Sequence, residues 1–175
     1  MNECYIIDKS NISRRQTIME EIVLRKMSKD EFENYFQNKI ERFSDVLSEN
    51  IHEQGDEPST KALKQLKGLL PNGIETPNHH IFDIQRGEKV IGFVWLKIEE
   101  EKKSAFLYEI YIFEEYRGKG FGTETMNHLE DFLIQKEIYY FKLHVFGNNT
   151  GARKLYEELG FEIAGINMLK PLSKK

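Results

Sequence analysis

The stretch Tyr108-Glu-Ile-Tyr-Ile-Phe-Glu-Glu-Tyr-Arg-Gly-Lys-Gly-Phe-Gly-Thr123 decides how the chain is read. Tyr108, Ile110 and Ile112 alternate with Glu109 and Tyr111, the period of a strand with two unlike faces. Gly118, Gly120 and Gly122 then strip the turn of side chains and leave its backbone N–H groups bare. Met126, Leu129, Phe132 and Leu133 recur at helical spacing just beyond, so a helix follows at once. The first amides of such a helix have no intrahelical partner and sit at the positive end of its dipole, which together attract an anion. Arg117 stands beside them with a fork of donors suited to phosphate.

A flexible glycine turn packed on a neighbour has the same composition, so spacing must discriminate. A P-loop requires Gly-x-x-x-x-Gly-Lys-Ser/Thr, but Lys119 precedes Gly120 with no hydroxyl residue beside it. A dinucleotide fingerprint requires Gly-x-Gly-x-x-Gly; counted from Gly118 the third position is Thr123, and from Gly120 it is Thr125. The pattern that fits is Arg-x-x-Gly-x-Gly, at Arg117, Gly120 and Gly122, which resembles the coenzyme A loop of the GNAT acetyltransferase superfamily. Downstream, Asn149-Thr-Gly-Ala152-Arg-Lys-Leu-Tyr156-Glu-Glu-Leu-Gly160-Phe161 is similar to a second signature of that superfamily, Asn-x-x-Ala-x-x-x-Tyr-x-x-x-Gly-Phe, at each fixed position. The segment Leu69 to His80, with Leu143-His-Val-Phe146, further resembles a small bacterial branch carrying Leu-Leu-Pro-x-Gly-x-Glu-Thr-Pro-x-His-His.

Length and composition agree with one domain. The 175 residues can bury a core without disulfides or structural metal, and a net charge of -4 with mixed signs argues against broad nucleic-acid binding. Cys4 is the single cysteine, which excludes an intrachain disulfide and predicts a reducing, cytoplasmic setting. No run approaches the ~18 apolar residues of a membrane span, and the N-terminus lacks the apolar core of a secretion signal. Residues 1–18 read as a polar tail, and residues 19–175 as a single domain.

In chain order, Ile22 and Leu24 mark a first strand. Ser28-Lys-Asp-Glu31 has capping-box spacing and should open a helix whose apolar face is Phe32, Tyr35, Phe36, Ile40, Phe43 and Leu47. After the break at Gly55 to Pro58, Ser59 or Thr60 is expected to cap a second helix, stopped by Leu70-Pro-Asn-Gly73. Strands follow at Ile81 to Gln85 and Val90 to Ile98, joined by a hairpin turn, and Glu99 to Lys103 reads as a solvated loop. Beyond the glycine turn, the helix runs to about Lys136, a strand covers Phe141 to Phe146, Asn149 caps a short helix ended by Gly160, and Phe161 to Leu169 reads as a last strand or strand pair. A strand, helix and strand in succession imply a parallel crossover.

The resemblance implies a mixed α/β GNAT fold: a central, twisted, mostly antiparallel sheet with a splayed parallel strand pair, flanked by helices. It also implies acetyl-CoA as cosubstrate without a metal, and a primary amine of a small molecule or peptide as acceptor. By the same resemblance the coenzyme is held by Tyr111, Ile112, Phe113, Arg117, Gly118, Lys119, Gly120, Phe121, Gly122, Thr123, Asn149, Ala152 and Tyr156, and Tyr156 protonates the departing thiolate. Helical spacing alone favours a packed core tyrosine; the full motif match reverses that.

Two residues compete as general base. His144 faces away from Leu143 and Val145 on the strand bordering the acetyl group, and an imidazole titrates near neutrality. Glu109 is the rival, and its carboxylate could also attract a cationic amine. His144 also reads as a histidine packed on the sheet, and Glu109 as a solvated or paired carboxylate. His79 and His80 point to opposite faces if they lie on a strand, which disfavours a metal pair; the resemblance to the bacterial branch implies that one packs inward and the other lines the acceptor mouth. Dimerisation is common in the superfamily, and nothing in the sequence counts subunits. A silent acyl-CoA sensor is the alternative to an enzyme.

Overall fold

Ser28 and Glu31 form the expected reciprocal cap: Ser28 Oγ accepts from the Glu31 amide at 3.4 Å, and Glu31 Oε2 accepts from the Ser28 amide at 2.8 Å. Helix α1 (Lys29–Asn50) starts there. Hydrogen bonds from Arg25 and Ser28 pull the Glu31 carboxyl down to about 2. The Arg25 guanidinium reaches Asp83 as well, so strand β1 (Ile22–Lys26), α1 and strand β2 (His79–Arg86) share one charged tie.

The computed structural model describes residues 21–50 and 55–170. The expected tail over 1–18, with Cys4, lies outside the described residues. Helix α2 (Pro58–Leu69) begins earlier than the Ser59 or Thr60 cap predicted; Glu57 takes the cap position without a side-chain hydrogen bond, and Pro58 opens the first turn, where its fixed φ already suits a helix.

Strands β1, β2, β3 (Lys89–Glu99), β4 (Ser104–Ile112) and β5 (Tyr140–Leu143) form one sheet in chain order. The first three junctions are antiparallel and β4–β5 is parallel, joined through helix α3 (Phe121–Gln135). This is the mixed sheet expected. Where a solvated loop was predicted, Glu100–Lys102 makes a single 3-10 turn, closed by Lys103 in the left-handed region at φ 48°.

A core lies on each face. Met27, Phe32, Tyr35, Leu66, Leu70, Ile81 and Trp95 pack together beneath α1 and α2, while Ile98, Ala105, Leu133 and Ile138 pack beneath α3. Among the described residues, no helix is long and apolar enough to cross a membrane.

The contacts divide the chain into one compact unit through His144 and another from Val145. In the second, Asn149 caps helix α4 (Thr150–Glu158) by accepting from the Ala152 amide at 3.2 Å, and Gly160 ends it at φ 87°. The last strand expected at Phe161 to Leu169 does not form: residues 161–170 have no regular structure. Among the described residues that unit contains one helix and no strand, so these backbone groups have no ladder within it to join.

Candidate active site

Two features of the first unit open the sheet on one side. The parallel pairing runs only from Ser104–Tyr140 to Leu107–Leu143, whereas β4 continues to Ile112. At the same level β4 carries a bulge: Trp95 pairs with Glu109 and Leu96 with Leu107, leaving Tyr108 unpaired. A bulge bends its strand and increases the local twist. Beyond Leu107, therefore, β4 presents backbone on its β5 side that no described strand covers. The bulge also corrects the simple alternation read from sequence. Tyr108 stacks on Trp95 at 4.6 Å while Glu109 is Trp95's register partner, so both lie on the α1 face.

At the end of β4 the chain makes a 3-10 turn at Glu114–Tyr116 and reaches α3 through Arg117 to Gly120. Gly118 at φ 69° and Gly120 at φ 83° hold conformations that L side chains rarely adopt, and a Cβ on either would meet nothing within 4 Å. Gly120 caps α3 without any side chain, and the first bond within the helix is Glu124 N to Gly120 O at 3.0 Å. The loop that leads into the first turn is exposed, and two of its four residues are glycines. Arg117 Nε donates to Ile112 O at 2.8 Å and its guanidinium lies 5.1 Å from the Tyr111 ring, while Lys119 Nζ donates to Glu115 O at 2.6 Å. Both cations are thereby held at the loop. A pyrophosphate fits these donors, and an amide-bearing arm fits the uncovered β4 edge at Tyr111, Ile112 and Phe113.

Glu109 proves to be enclosed. Its carboxylate accepts from Tyr35 OH at 2.7 Å and pairs with Lys39 Nζ at 3.0 Å and Arg42 Nη2 at 3.3 Å, with 8 % of the side chain exposed. Burial pushes the carboxyl up, but Lys39, Arg42 and the Tyr35 hydroxyl outweigh it and hold Glu109 below the usual range. It is a weak base whose oxygens are already engaged. Tyr35, Lys39 and Arg42 fall at i, i+4 and i+7 of one helix face, a spacing visible in the sequence; their meeting with a strand residue some seventy positions later was not.

His79 accepts from Trp95 Nε1 at its Nδ1 at 2.9 Å, and burial with Lys97 and His80 nearby pulls it down to about 4. It is neutral at physiological pH, with its proton on Nε2. His80 lies parallel to the Phe82 ring at 6.3 Å. His144 stands exposed one residue past β5, not on a strand to Phe146, because β5 ends at Leu143. In register it follows the Leu107–Leu143 pair, level with the Tyr108 bulge. In the second unit, Tyr156 contacts Phe161 edge-on at 5.7 Å, and burial pushes its hydroxyl above the usual value. Asn149 spends its side-chain oxygen on the α4 cap.

Residues 33–161 match the acetyltransferase (GNAT) family. The chain belongs to that family. It is an acyltransferase of the N-acetyltransferase class, and acetyl-CoA is the family's acyl donor. The chain is 31% identical over 154 residues to the uncharacterized N-acetyltransferase YycN of Bacillus subtilis, covering 86% of this chain and 99% of the relative. The crystal structure of YycN superposes with a TM-score of 0.83 at 29% identity, over 87% of this chain and 99% of that one. Spermidine N-acetyltransferase from Vibrio cholerae, solved with CoA and spermine, is similar at a TM-score of 0.60 and 26% identity, over 83% of each chain.

Proposed function

We propose that this GNAT protein moves an acetyl group from acetyl-CoA to a primary amine by direct attack in a ternary complex. The uncapped, glycine-lined start of α3 beside the uncovered β4 edge is the observation that carries this reading. The amides from Arg117 to Thr123 hold the pyrophosphate, and the β4 edge holds the pantetheine arm in line with the pair opening at Leu107 and Leu143. Bound there, acetyl-CoA supplies an activated acyl carbon.

The amine nitrogen bonds to that carbon, the carbon–sulfur bond breaks, the nitrogen gives up a proton and the thiolate takes one. Tyr156 donates the second proton, as its place in the Asn149 to Phe161 signature supports. His144 takes the first, directly or through water; its exposed place level with the bulge favours it over the occupied carboxylate of Glu109. No covalent enzyme intermediate is needed, and Cys4 is remote in sequence from both motifs. The lone cysteine suits a reducing, cytoplasmic setting.

Free-thiol release from acetyl-CoA, followed over a panel of primary amines, tests the reading. Amine-dependent release is expected. Tight coenzyme binding with no release on any amine would replace it with a silent acyl-CoA sensor.

A further inference from the structure

The group around Glu109 carries more positive than negative charge. Lys39 and Arg42 converge on the same oxygen, Glu109 Oε1, while Tyr35 occupies Oε2 as a neutral donor, since burial and Glu109 push its hydroxyl well above the usual value. Lys39 alone would neutralise the carboxylate. Arg42 is therefore surplus, and its side chain retains 23% of its surface. Its Nε is buried without a partner, and among the described residues no acceptor meets Nη1. Instead its guanidinium lies against three rings: Tyr111 at 4.6 Å, Tyr35 at 5.9 Å and Phe93 at 6.0 Å. An under-bonded guanidinium in a partly buried place gains most from an oxyanion that matches its fork.

The position gives that oxyanion a role. Arg42 and Arg117 contact the same Tyr111 ring, so the surplus cation stands between Glu109 and the Arg117 loop, on the α1 face of β4. We propose that the acceptor is an amine that also carries an acid group, of the amino-acid class, and that Arg42 with Lys39 binds its carboxylate while the amine reaches the opened strand pair. The inference rests on the N-acetyltransferase reading. It reverses the expectation that Glu109 draws a cationic amine, because that charge is already spent within the protein. A polyamine would meet two cations and no free carboxylate in this group.

The test compares kcat/KM for amino acids with that for their carboxamides, using the full-length protein and thiol release. The acids should be favoured by about tenfold to a hundredfold, the range of a charge-assisted hydrogen-bonded pair. Arg42→Gln should remove that preference mainly through KM, and calorimetry should find its CoA affinity within about twofold of the parent. Arg42→Lys keeps the charge without the fork and should give an intermediate preference. Turnover of carboxamides or spermidine at or above the rate of acids by the unaltered protein would overturn the inference while leaving the enzymatic reading intact, and needs no variant to fold. So would Arg42→Gln weakening CoA as much as the acceptor, since the coenzyme's phosphates would then be the anion. No release with any amine would overturn both.

Discussion

Tyr156→Phe is expected to lower kcat by about a hundredfold to ten-thousandfold, the usual contribution of a positioned proton donor, while acetyl-CoA affinity changes little. The substitution keeps the ring and its edge contact with Phe161, so folding should be preserved. Burial favours the neutral phenol and raises its titration above the ordinary value near 10. The donor therefore stays protonated at neutral pH. The alkaline limb of kcat should lie above about pH 10 in the parent and disappear in Tyr156→Phe, and the loss should shrink with a thioester whose thiol is acidic enough to leave unprotonated. An unchanged kcat would assign Tyr156 to packing alone.

The second large effect concerns the strand beside the cradle. Gly92 on β3 faces Ile112 in register, and a Cβ there would fall 2.1 Å from the Tyr111 carbonyl oxygen. The obstacle is backbone and cannot rotate away. The neighbouring residue Ile91 is already the extra residue of a β3 bulge and accepts from the Phe113 amide at 2.9 Å. Gly92→Val must therefore displace β4 at Tyr111 and Ile112, where Arg117 is anchored. A cost of about 3 kcal/mol or more is expected, a fall in Tm of roughly 6–12 °C for a chain of this size, together with weaker coenzyme binding. Gly68→Ala is the control: it lies in α2, where a Cβ meets nothing within 4 Å, and should be neutral or stabilising by about 0.5–1 kcal/mol. Equal thermal stability of the Gly92 variant and the control would contradict the close approach.

What the sequence revealed was local. The Ser28 and Glu31 cap, the Asn149 cap and the glycine turn that opens α3 each depend on residues a few positions apart, and each forms as read. The apolar face of α1 was legible for the same reason. The α2 start was misplaced because two hydroxyl residues outweighed Pro58 in the reading, although proline suits the first turn without any cap. Long-range features were silent. Nothing near Tyr108 marks the bulge, which depends on register with β3, and β5 was drawn too long because hydrophobic alternation continues through Val145 after pairing has ceased. A strand or strand pair was also expected at Phe161 to Leu169, but no ladder forms there. Glu109 is the most instructive residue. Read alone, it is either a negative charge available to substrate or a paired carboxylate; the structure takes the second, with Tyr35, Lys39 and Arg42 enclosing it.

The central claim is that the bare amides opening α3 grip the charged linker of coenzyme A. Calorimetry of CoA against pantetheine, which lacks that linker and the adenosine phosphate, addresses it most directly. Binding of CoA at least about a hundredfold tighter than pantetheine, weakening as salt is raised, is the predicted result. Equal affinity for the two, or no affinity for CoA, would contradict it.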